Sequence, residues 1–195
     1  KIERCLKEFV EKSNFEDFYK EHSDFYSNIV KEYKKAMSEF NIFDENVIED
    51  FYGYKLGEMS IKLYNFTTGS SGLLIGNNQY YNQRVHNIGK DENNFIFKPK
   101  LGVLFHEFSH PYINPLVEKY FSNVNCYDLY QEIIENDINS IISTTYQILD
   151  SKNAYTILAE YIVRAVTIYL ESKYEKKEVI NEKIKVQYDY GFIHI

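Results

Sequence analysis

A chain of 195 residues, 44% hydrophobic and 26% charged, with 19 Tyr and 14 Phe, is long enough to bury a packed core. Its formal net charge of -7, with no stretch in which Lys and Arg gather free of carboxylates, argues against a nucleic-acid partner or a basic helix lying on a membrane surface. No apolar run approaches the roughly 20 residues of a membrane span, and the distant pair Cys5 and Cys126 implies neither a disulfide framework nor a cysteine zinc cluster.

One domain is expected over residues 1–195, in three parts: helices over 1–54, a small sheet over 55–100, and a helical part over 101–195 that begins with a motif helix. The first part opens with a short helix carrying Ile2, Cys5, Leu6, Phe9 and Val10 on one face. A long amphipathic helix follows, with apolar residues at three-and-four spacing from Phe15 to Met37, and Ser13 with Glu16 reads as a capping box at its start. Val47, Ile48, Phe51 and Tyr52 predict a third helix ending at Gly53.

From Lys55 the period changes to two. Met59, Ile61 and Leu63 alternate with polar residues, and Leu73 to Ile75 follow the turn signal GSSG (69–72), which predicts a β-hairpin. Asn and Gly clusters separate Gln79 to His86 from the apolar run Phe95 to Phe97, giving a small, mostly antiparallel sheet of three or four strands. Beyond Pro99 the pattern is helical, and the run Ser172 to Glu178 reads as a solvated helix end.

The motif is LFHEFSHPYINP, Leu104 to Pro115. On a helix, residues four apart lie about 40° apart around the axis, so His106 and His110 project side by side as two ligands of one tetrahedral zinc. Glu107, about 100° round from His106, falls outside the ligand shell and within reach of a metal-held water, the general-base position of H-E-x-x-H. Val103, Leu104, Phe105 and Phe108 make the helix apolar on several sides, so its ionisable residues need partners. Two core histidines bonded to backbone, with Glu107 paired to a cation, would also satisfy them. Pro111 cannot donate to the Glu107 carbonyl and Asn114-Pro115 is a second stop signal, so the helix is expected to bend at His110 and finish at Asn114.

Catalytic zinc takes three protein ligands and keeps an open position. In AYTILAEYIVRAVTIYL, Ala154 to Leu170, only Glu160 and Arg164 are charged, on a helix apolar nearly all round. An i,i+4 ion pair explains both; the sharper reading puts Glu160 on the metal with Arg164 orienting it. Asp137 is the reserve ligand. Glu118, Glu132 and Glu135 sit in polar surroundings, while His86 and His194 sit in loop-like or terminal sequence.

These residues resemble the zincin superfamily of zinc metallopeptidases, in the branch called gluzincins that takes two His from HExxH and a downstream Glu. HEFSH followed by Asn-Pro also looks like the motif of an uncharacterised bacterial zincin-like domain family. The specific matches are His106, Glu107, His110, Asn114, Pro115 and Glu160, and Pro111 departs from the usual pattern. The resemblance implies an α+β zincin-like fold with long N-terminal helices and C-terminal helices. It also implies one Zn2+ per chain, and an edge strand, Leu73 to Ile75 or Phe95 to Phe97, that takes an extended peptide or protein substrate. A Tyr, His or Arg stabilising an oxyanion is implied too, with Tyr161, Arg164, Tyr190 and His194 as candidates. A catalytically inactive binding or regulatory module on the same scaffold is the alternative. With Lys1 first, a removed signal segment would mean a secreted or cell-surface protein and its absence a cytoplasmic one. The apolar ending GFIHI suggests that the domain continues past Ile195.

Overall fold

The computed structural model of the chain describes residues 2–38, 46–64, 71–76, 78–84, 100–121 and 151–195. Among these residues are seven helices and three strands, a mostly helical α+β arrangement. The chain divides into two compact units, Lys1–Asn41 with Val85–Lys98, and Ile42–Arg84 with Pro99–Ile195.

The first unit holds α1 (Ile2–Lys12), α2 (Phe15–Glu21) and α3 (Ser23–Ser38). The single long helix expected over 15–37 is thus two helices. The break falls at His22, whose ring stacks on Phe18 with centroids 4.1 Å apart and donates through Nδ1 to the Phe18 carbonyl at 2.7 Å. The expected capping box does not form either. Ser13 closes α1 through its N–H to the Phe9 carbonyl, and Asn14 takes the N-cap of α2 in the left-handed region, φ 52°, which Asn tolerates better than most residues. Aromatic contacts run from Phe9 to Phe15, Phe15 to Tyr19 and Tyr19 to Tyr26 across the three helices.

The second unit begins with α4 (Asn46–Tyr52), which the sequence groups with the N-terminal helices. Gly53, at φ 76°, ends it as expected, with its N–H on the Glu49 carbonyl at 2.8 Å. Strands β1 (Met59–Tyr64), β2 (Ser71–Ile75) and β3 (Asn78–Arg84) form one sheet in the order β1-β3-β2. The expected hairpin between β1 and β2 is absent. β3 lies between them, parallel to β1 (Ile61 opposite Tyr81) and antiparallel to β2 (Leu74 opposite Gln79), so the sheet is mixed rather than mostly antiparallel. The turning point is Gly76, at φ 61°, because Ile75 pairs with Asn78 across a two-residue connection that needs a left-handed glycine. Gly72 of the GSSG signal lies inside β2 instead.

α5 (Leu101–Tyr120) carries the motif and is the largest correction: it runs unbroken through both Pro111 and Pro115. Its packing explains this. Leu104, Phe105, Phe108, Tyr112, Ile113 and Val117 are all buried, so tertiary contacts on several sides outweigh the hydrogen bonds that the prolines remove. α5 faces α6 (Ser151–Glu171) along a core of Ile113 and Val117 against Ala159 and Val163, and it lies against β2 and β3 on the sheet side. Tyr112 stacks on Tyr52 of α4 with centroids 4.2 Å apart. α7 (Lys177–Asp189) follows α6 after turns at 172–176, where the charged run is solvent-exposed as expected. At the start of α5 the Glu171 carboxylate occupies the space that a Cβ on Gly102 would fill, and Lys183 of α7 binds that carboxylate at 2.6 Å.

Candidate metal centre

Burial against α6 fixes the direction of the α5 side chains. Phe105, Phe108 and Tyr112 go into the core, and the remaining stripe carries His106 and His110 one turn apart, with ring centroids separated by 4.8 Å. From α6, Glu160 projects into the same space because its neighbours Ile157, Ala159, Tyr161 and Val163 are buried in the core around it. His106, His110 and Glu160 offer three ligand atoms that all lie within 4.8 Å of one another.

The individual spacings are informative. His106 Nε2 and His110 Nε2 are 3.1 Å apart, His110 Nε2 is 3.4 Å from Glu160 Oε1, and His106 Nε2 is 3.7 Å from Glu160 Oε2. A tetrahedral zinc with bonds of about 2.0–2.1 Å holds its ligand atoms about 3.3 Å apart. The His106–His110 and His110–Glu160 Oε1 spacings lie near that value, while the nearest Glu160 oxygen to His106 is the other one, Oε2. The donor set, two imidazole nitrogens and one carboxylate, is also the chemistry that zinc accepts in an open site.

Protonation states agree with this donor role. His110 Nδ1 lies 3.2 Å from Asn114 Oδ1, so Nδ1–H donates and Nε2 keeps its lone pair toward the cluster. Asn114 is itself held, its main-chain carbonyl accepting the Tyr155 hydroxyl at 2.8 Å. His106 is pushed down to about 3, first by burial and then by the nearby charges of His110 and Arg164, so it is neutral near pH 7. Its closeness to Glu160 is therefore not an ion pair. The Glu160 charge is instead balanced by Arg164, whose Nε donates to Oε2 at 3.1 Å. The Arg164 guanidinium also donates to Gln187 Oε1 at 2.8 Å and lies over the Phe192 ring at 4.2 Å. Arg164 and Glu160 form the expected i,i+4 bond through Oε2, and the Glu160 carboxylate faces both histidines, with Oε1 toward His110 and Oε2 toward His106.

Glu107 is buried beside the donors without joining them, and its carboxylate accepts the main-chain N–H of Gly72 in β2. Burial is the main force that raises its carboxyl to about 7; the Glu160 charge adds to the rise, and the Gly72 bond and Arg164 oppose it. An acid poised near 7 can take and return a proton at neutral pH.

The remaining candidates are less engaged with the cluster. Tyr161 is buried with its hydroxyl on the Gly191 carbonyl at 3.0 Å, Tyr190 sits at the exposed C-terminal end of α7, and His194 is exposed with its ring 6.0 Å from that of Tyr161. Glu118 is exposed. His86, Phe95 to Phe97, Cys126, Glu132, Glu135 and Asp137 lie outside the described residues. Asn114, Tyr155, Gln187 and Gly72 are the partners that sequence reasoning missed. Only Asn114 carried a signal, since it stands one helical turn after His110 and so can reach the far side of that ring.

Fold and site together define a helical α+β protein with a His-His-Glu cluster, its histidines half-buried and its Glu buried, shared by two core helices with a buried acid at its side. The chain belongs to the family described as Domain of unknown function (DUF4932), whose model matches residues 2–195. No curated protein and no solved structure matches it.

Proposed function

We propose that this chain is a zinc-dependent metallopeptidase of the gluzincin type, in which His106, His110 and Glu160 hold the metal and Glu107 is the general base. The observation that carries the reading is the convergence of three ligand atoms within 4.8 Å beside a fourth, buried carboxyl group with its own separate partner. A zinc ion held there supplies Lewis acidity and brings the pKa of a water down to roughly 7. Glu107 accepts the proton of the attacking water and delivers it to the leaving amine, a role for which a carboxyl near 7 is matched. Asn114 holds His110 in the tautomer that leaves Nε2 free, and Arg164 orients the Glu160 carboxylate by its hydrogen bond to Oε2. Among the described residues β2 is at an edge of the sheet and lies against α5, which supports an extended peptide or protein substrate laid along it.

The test is a pair of variants in a peptide-hydrolysis assay with metal content read in parallel. Glu107→Gln is expected to keep zinc and to lose hydrolysis by about 10²–10⁴-fold, the usual worth of general base catalysis. Full hydrolysis in that variant would remove Glu107 from the proposed role, and loss of zinc would mean that it is a ligand.

A further inference from the structure

Pro111 and Gly72 are each unusual for their positions, one inside a long helix and the other inside a strand. Proline has no N–H, so the Glu107 carbonyl receives no helical hydrogen bond from residue 111. On the other side of that same carbonyl stands Gly72. A Cβ built there would overlap the Glu107 carbonyl oxygen and stand 2.9 Å from its carbonyl carbon and 3.2 Å from its Cα. Gly72 is not one of the glycines with positive φ, so it is the close approach, and not a backbone dihedral, that excludes a side chain. The same residue donates its N–H to the Glu107 carboxylate.

We propose that Gly72 is the positioning residue of Glu107: its main-chain N–H holds the carboxylate, and its missing side chain admits the carbonyl to which Pro111 can donate no hydrogen bond. Glu107 is thereby gripped at two points by one residue of a neighbouring strand. A flexible side chain next to a metal cluster would otherwise rotate toward the ligands, because a carboxylate is itself a good zinc donor. The Gly72 bond keeps Glu107 beside the three donors and not among them. Pro111, which departs from the usual motif helix, is then part of the device: a carbonyl to which residue 111 donates no hydrogen bond can sit against the strand backbone.

The functional consequence rests on the metallopeptidase reading, but the contact does not, and it can be tested on metal-free protein. Hydrogen exchange at the Gly72 amide, followed by NMR on the full chain, is expected to be slowed in the wild type and to accelerate by at least about tenfold in Glu107→Ala. The Leu73 amide is the internal reference and should not change. In Glu107→Gln, which keeps an acceptor oxygen, protection should be largely retained. A Gly72 amide that exchanges freely in the wild type, or equally fast in wild type and Glu107→Ala, overturns the proposal. If Glu107→Ala does not fold, the wild-type protection and the Gly72 amide shift on Glu107→Gln substitution decide it. Gly72→Ala is expected to keep one zinc per chain by native mass spectrometry while losing at least about tenfold in hydrolysis; undiminished hydrolysis there overturns the positioning role. Absence of zinc and hydrolysis in the wild type would remove the metallopeptidase reading and leave the exchange result to judge Gly72 alone.

Discussion

Asn114 shows how much one side chain can decide. A histidine presents a lone pair at Nε2 only when its hydrogen is on Nδ1, and Asn114 Oδ1 sits where it accepts that hydrogen from His110. Asn114→Ala should therefore weaken zinc binding by about 10–100-fold, measured by competition with a chromophoric chelator, while the fold is kept. Unchanged affinity would mean that His110 is oriented by packing alone. His106 and Glu107 supply a pH signature in the metal-free chain. His106 falls from 6.5 to about 3, so between those values the folded chain binds fewer protons than the unfolded one, and its contribution to stability drops as the pH is lowered through that window. Glu107 rises from 4.5 to about 7, so it binds more protons when folded, and its contribution drops as the pH is raised from 4.5 to 7. The two slopes oppose each other between 4.5 and 6.5. Replacing His106 by Asn should remove the acid-side loss, so that Tm plotted against pH falls less between pH 6.5 and 3 than in the wild type. Parallel curves for the two proteins would contradict the account of His106 as a neutral, half-buried imidazole.

At the scale of elements, the seam between α5 and α6 is what brings His106, His110 and Glu160 together, since Ile113 and Val117 on one helix meet Ala159 and Val163 on the other. Ile113→Ala should cost about 2–5 kcal/mol in a urea unfolding experiment and weaken zinc binding with it. A second tie is the Glu171–Lys183 pair against the start of α5. Lys183→Ala leaves a buried carboxylate without its cation and should cost roughly 1–3 kcal/mol; a loss below about 0.5 kcal/mol would show that the pair is only a surface bond. Local pattern was enough to anticipate α4, α6 and the strand character of β1 and β2. It was not enough for strand partners, because alternation tells which face a residue occupies and says nothing about which strand lies beside it. It was also misled at Pro111 and Pro115, where burial of Tyr112, Ile113 and Val117 carries the helix past two residues that stop exposed helices.

At the scale of the whole molecule, the cluster was legible because its spacing is short-range on α5 and because Glu160 is one of only two charges in the apolar stretch Ala154 to Leu170. Its supporting residues were not, since Gly72, Tyr155 and Gln187 reach it through tertiary contacts that leave no periodic trace. A ligand that binds only the folded chain stabilises it in proportion to its excess over Kd. At about 100 times Kd, zinc should add about 2.7 kcal/mol and raise Tm by about 5–10 °C for a chain of this size. The most direct measurement is native mass spectrometry of the purified protein before and after chelation. The account predicts one zinc per chain, removed by chelator, regained on adding zinc at neutral pH, and lost in His106→Ala. A chain that takes up no zinc under those conditions, or keeps it unchanged in His106→Ala, would contradict the claim that His106, His110 and Glu160 form a metal centre.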